Sequence, residues 1–183
     1  MDNIIIHSFQ NVRKIMDNSI KLLKDADALL SEKGYIPITG NGLATETSKS
    51  ILQTPDSYTT LIPQYITRPY GLKSHVENNN VDHLLIINIQ YTHPMDEQLI
   101  PSIAAGKLSL EHPTDNIRNV FKPWFMKYAI YELDLKVDVF NENLYTCQIY
   151  KDSNDTITFS IKPLTTIQSN NDLVKMVEDM CRL

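Results

Sequence analysis

Residues 81–94 (Val-Asp-His-Leu-Leu-Ile-Ile-Asn-Ile-Gln-Tyr-Thr-His-Pro) form the most apolar and β-branched run of the chain. Such a run reads as the central strand of a sheet, around which the other elements must pack. Successive strand side chains point to opposite faces. One face then carries His83, Leu85, Ile87, Ile89, Tyr91 and His93, and the other Asp82, Leu84, Ile86, Asn88, Gln90 and Thr92. The first face is apolar between two histidines, whereas the second turns polar halfway along. This pattern predicts a strand buried on both sides near its start and wetter near its end, stopped by Pro94, which has no ladder donor.

Residues 4–33 read as one long amphipathic helix. Positions 5, 9, 12, 16, 19, 23, 26 and 30 alternate four and three apart and hold Ile, Phe, Val, Met, Ser, Leu, Ala and Leu, a single stripe on one helix face. Gly34 suits the left-handed position that ends a helix. Ser8 offers a later start, which would leave residues 4–6 as a small strand. Thirty helical residues span ~45 Å, more than the ~30 Å expected across a domain of this size. The stripe is first a core stripe laid across the sheet. Its second use is an overhanging end that meets a partner, with Phe9 and Met16 at the contact.

After a short β-like run over 35–39, Gly40-Asn41-Gly42 is a turn signal that lacks the pattern of a phosphate-binding loop. Residues 45–57 read as a hydroxyl-rich loop. Residues 61–70 form the next strand, an edge strand or a short one because Pro63 and Pro69 deny donors, and they pair with the central strand as a long-looped antiparallel hairpin across a polar loop at 75–80. A short helix is expected over 96–105, ended by Gly106, with 107–110 returning as a brief strand. Thr114 is then the expected cap of a helix over 115–132. There Phe121, Trp124 and Tyr128 share the apolar stripe beside Arg118, Lys122 and Lys127. Core packing is the first use of that stripe, a partner surface the second, and nucleic-acid binding an unlikely third.

The last third alternates apolar and polar residues over 133–139, 144–151 and 156–162, with turns at 141–143 and 152–155, which predicts an antiparallel meander. A final helix over 170–182 follows, capped by Asn170 or Asn171. Strands cluster in the middle and C-terminal third without a steady βαβ alternation. The expected fold class is therefore α+β, a mainly antiparallel sheet with a three-stranded C-terminal meander and flanking helices. At 183 residues one domain over 1–183 is expected, with a mixed strand and helix core at 35–132.

The chemistry is sparse. The net charge of −5 gives no general pull towards nucleic acid. Two cysteines, Cys147 and Cys181, make neither a disulfide framework nor a zinc motif. The chain opens without a signal-peptide layout and has no apolar run of membrane-spanning length. A cytoplasmic, soluble protein with no membrane association is expected. His83 and His93 lie roughly 33 Å apart along a strand, too far to share a metal. His93 with Asp96, Glu97 or His112 is the weaker metal possibility, and the expectation is no metal and no cofactor. No nucleophile elbow, zincin helix or Walker loop occurs. The preferred expectation is a non-enzymatic protein-binding or regulatory accessory protein, with self-association through Phe9 and Met16 or through Phe121, Trp124 and Tyr128 as one form of it. The alternative is a small-molecule or nucleotide-binding protein, an enzyme among the options, with Asn88, Gln90 and His93 facing a pocket closed by Arg68 and the Gly40–Asn41–Gly42 turn.

Overall fold

The computed structural model describes residues 2–45, 63–93, 98–116, 137–141, 144–149 and 153–183. It opens with helix α1 (Asp2–Glu32), followed by strands β1 (Tyr35–Pro37), β2 (Ala44–Thr45) and β3 (Tyr65–Leu72), the short helix α2 (Lys73–Glu77), and strands β4 (Val81–Gln90) and β5 (Ser102–Thr114). Then come β6 (Val137–Asn141), β7 (Leu144–Gln148), β8 (Thr156–Pro163), a 3-10 turn at Leu164–Thr166 and helix α3 (Asn170–Cys181). All strand pairings among the described residues are antiparallel. The order across the sheet is β1-β3-β4-β5-β8-β7-β6, with β2 sharing the outer edge of β3 with β1. The long N-terminal helix, the antiparallel sheet and the meander make an α+β fold, as the element order in the sequence predicts.

The strand at 81–90 is central in fact. Leu84, Ile86, Ile87 and Ile89 are fully buried, and its two faces feed two separate cores. On one face Leu85, Ile87 and Ile89 pack with Ile103 and Ala105 of β5. Above them lie Leu23, Ala26 and Leu30 of α1 and Leu173, Met176, Val177 and Met180 of α3. On the other face Leu84 and Ile86 pack with Ala104, Leu108, Ile157 and Phe159. Gly34 ends the α1 turn at φ +83°, as expected of a left-handed terminator.

Several expectations give way to tertiary context. Residues 102–105 are strand, not helix. Ile103 and Ala105 face one core and Ala104 the other, so an apolar run buried on both faces imitates a helical pattern. Gly106 continues that strand instead of ending a helix, and Thr114 ends it, its hydroxyl accepting from the Asn116 N–H. Strand β3 is interior rather than an edge. Pro69 is tolerated because the side to which its carbonyl points, accepting from the Ile38 N–H at 3.1 Å, is the gap between β1 and β2, where no strand needs its missing donor. The polar loop at 75–80 holds the turn at Asn79, φ 50°, but α2 precedes it. The cap of α3 is Ser169, one residue before Asn170. Its hydroxyl accepts from the Asp172 N–H while the Asp172 carboxylate accepts from the Ser169 N–H, a reciprocal capping box.

Candidate functional site: the projecting half of the first helix

The stripe of α1 divides at residues 16 to 19. Its C-terminal half, Ser19, Leu23, Ala26 and Leu30, is buried. Ser19 is no exception in chemistry, because its hydroxyl donates to the Ile15 carbonyl of its own helix at 2.9 Å. Met16 is half-buried and touches the edge of the core. Every residue from 3 to 15 is exposed. Ile4 is 72 % exposed, Ile5 53 %, Phe9 64 %, Val12 44 % and Ile15 48 %. The helix therefore runs past the sheet and carries its apolar stripe with it. The long-helix expectation holds from Asp2 without a break at Ser8, but the core use of the stripe applies only to its second half.

The seam has a specific repeat. Phe9, Met16, Leu23 and Leu30 recur every seven residues, and so do Ile5, Val12, Ser19 and Ala26, the spacing of helices that pack along their length. Where the seam meets the sheet, the second series is small, Ser19 and Ala26, which lets the helix approach closely. Where it projects, both series are large. Side chains of these sizes at these exposures leave roughly 500–600 Å² of surface, the upper end of the single largest patch on a monomer and somewhat below the ~800 Å² each partner gives a standard interface.

The residues expected to line a pocket are separated. Arg68 stands opposite Ile87 and Thr67 opposite Asn88, so Arg68 shares the helix-covered face while Asn88 and Gln90 occupy the other. Arg68 forks onto Asp27 of α1, Nε to Oδ1 at 2.7 Å and Nη2 to Oδ2 at 2.6 Å, and its Nη1 donates to the Gly42 carbonyl at 2.9 Å. Hydrogen bonding to Asp27, against the opposing effect of burial, raises the guanidinium pKa further. Burial, then the Asp27 charge, pushes the neighbouring Tyr70 phenol well up. The turn does close onto Arg68, but the carboxylate it meets belongs to this chain.

Asn88 and Gln90 are fully buried rather than wet. The Thr67 hydroxyl donates to the Asn88 side-chain amide oxygen, and Gln90 Nε2 donates to the Thr92 backbone carbonyl at 2.8 Å. Ser102 stands across from Gln90 and is also buried. His93 is buried beyond the end of β4. These groups build an internal polar row at one end of the sheet. Phe121, Trp124 and Tyr128, with the basic residues beside them, lie outside the described residues.

Asp27 is the residue that sequence reasoning missed at this node. It sits next to the stripe at Ala26, and an acid flanking a helical core stripe opposite a scarce strand arginine is the signal that points to it. No protein-family model, curated protein or solved structure matches this chain. No helix among the described residues is long and apolar enough to cross a membrane.

Proposed function

We propose that this chain is a non-enzymatic protein-binding protein of regulatory or accessory type whose primary partner is a second copy of itself, held through the projecting half of α1. The observation that carries this reading is the continuity of one seven-residue seam across a buried half and an exposed half. The exposed half has large side chains at both seam positions. A second copy is favoured because one helix face supplies both sides of an isologous contact. A small-molecule pocket closed by Arg68 over Asn88 and Gln90 has no support from the register, since these residues stand on opposite faces of the sheet.

Size-exclusion chromatography with light scattering at a low and a high concentration tests the proposal. The wild-type chain is expected to run at twice its monomer mass at the higher concentration. Phe9→Glu with Val12→Glu keeps helix formers at exposed positions and is expected to run as a monomer with the circular dichroism of the wild type. A wild type that stays monomeric at the higher concentration overturns the reading, as does a double variant that still dimerises.

A further inference from the structure

The opposite end of β4 holds a cluster that the function proposed above does not use. The ladder between β4 and β5 shifts register between Val81 and His83. A bulge of this kind re-aims a side chain. Here Asp82 and His83, which a regular strand would send to opposite faces, lie against each other, with His83 Nδ1 2.6 Å from Asp82 Oδ1. Helix α2 and the left-handed turn at Asn79 bring a third group to the same point, His75 Nδ1 at 2.9 Å from that same oxygen. The two imidazole rings stand edge to face, 5.8 Å between centroids. Tyr35 of β1 closes the far side, its hydroxyl 3.0 Å from His83 Nε2.

We infer that His75, Asp82 and His83 form a binding site for a divalent transition-metal ion of the zinc class, with Tyr35 orienting His83. Two imidazole nitrogens and one carboxylate oxygen are a donor set that suits such ions. The three ligand atoms lie within 4.8 Å of one another. Around a tetrahedral zinc they would lie ~3.4 Å apart, so the two contacts to Asp82 Oδ1, at 2.9 and 2.6 Å, have to open by about 0.5–0.8 Å and the widest pair has to close by on the order of 1 Å. His75 sits on a short surface helix and can make that adjustment by side-chain rotation. The His75 side chain is 31 % exposed and that of Asp82 47 %, which gives an ion access and leaves its fourth position to solvent.

Both histidines meet the Asp82 Oδ1 through Nδ1, so an ion taken up between them replaces any proton held on those nitrogens. A neutral His83 that ligates through Nδ1 carries its proton on Nε2, from which it donates to the Tyr35 oxygen. This is the outer hydrogen bond that fixes a ligating ring and its tautomer.

The spacing His75-x6-Asp82-His83 matches no common metal motif, and its ligands meet only because a bulge and a turn fold the strand start over α2. The experiment is a titration of the full, chelator-treated chain with Zn2+ by calorimetry and with Co2+ by visible absorption. One equivalent per chain is expected, with the intense Co2+ bands of a low-coordinate site. His75→Ala, at a surface position that leaves the core untouched, is expected to weaken Zn2+ binding at least tenfold, and Tyr35→Phe about tenfold through the lost outer bond. His7→Ala, on the projecting helix, is expected to change nothing. Absence of stoichiometric binding in the wild type overturns the inference, and so does binding that His75→Ala leaves intact.

Discussion

Arg68 is the residue on which the first helix, the third strand and a surface turn converge. Its fork reaches Asp27 and its remaining nitrogen reaches Gly42, while the arginine side chain is 8 % exposed and that of Asp27 28 %. Replacing Arg68 by Ala leaves a half-buried carboxylate and a carbonyl without their donor. The expected loss is about 2–3 kcal/mol, somewhat below that of a fully buried pair because Asp27 keeps some water. Arg68→Lys is not expected to restore it, since an ammonium cannot fork onto both oxygens and reach Gly42 as well. Chemical denaturation of the three proteins measures this. A loss under about 0.5 kcal/mol for Arg68→Ala would return the residue to ligand binding, since exposed surface changes have effects of that size. The arginine was legible in the sequence as a scarce cation between two tyrosines that would fork onto a carboxylate. Its partner, 41 positions earlier, was not, because a helix docked on a sheet pairs residues that no local spacing relates.

At the scale of elements, periodicity was a sound guide wherever one face is buried and the other open. The long helix, the meander strands and the last helix belong to this class. It failed at β5, whose first residues are buried on both faces, so that alternation vanishes and Ala104-Ala105 favours helix by propensity alone. Gly106 shows what the strand requires there. A Cβ at this position would lie 2.5 Å from the Thr158 carbonyl oxygen and 2.9 Å from the Phe159 Cα, both backbone atoms of β8. Gly106→Ala is therefore expected to push β8 away from β5 and to destabilise the protein by about 3 kcal/mol, the upper range for overpacking. Thermal unfolding checks it, and a stability equal to wild type would mean that the two strands are less closely apposed than described. The metal-type cluster at residues 75, 82 and 83 was illegible for a related reason. The bulge that turns Asp82 towards His83 breaks the very alternation from which their faces were read.

The first helix is divided between a half packed on the sheet and a half that projects. Residues from 3 to 15 are exposed, so removing residues 2–15 leaves both cores intact. A contact between copies adds stability only by mass action. The melting temperature of the full chain is expected to rise with protein concentration, that of the shortened chain to stay constant, and the two to converge on dilution. Scanning calorimetry over a concentration series measures this. A shortened chain that melts far below the full one even when dilute would make the projecting half part of the fold and remove the basis for self-association. The sequence already carried the excess length of this helix over the breadth of the domain. It did not carry where the sheet ends beneath it, because that depends on strand order.

Strand order has one more consequence, for the making of the protein. β8 lies between β5 and β7, although it comes after both in the chain. While the protein emerges from the ribosome, the strands β3, β4 and β5 are complete long before β8 exists. Throughout that interval β5 presents an unpaired edge thirteen residues long, with the donors and acceptors that recruit foreign strands. The late strand joins the halves of the sheet, and α3 follows it to cover the core beside α1. Nascent chains of this protein therefore carry an unguarded edge until β8 has been added, and any delay in translation before that point prolongs their exposure to aggregation.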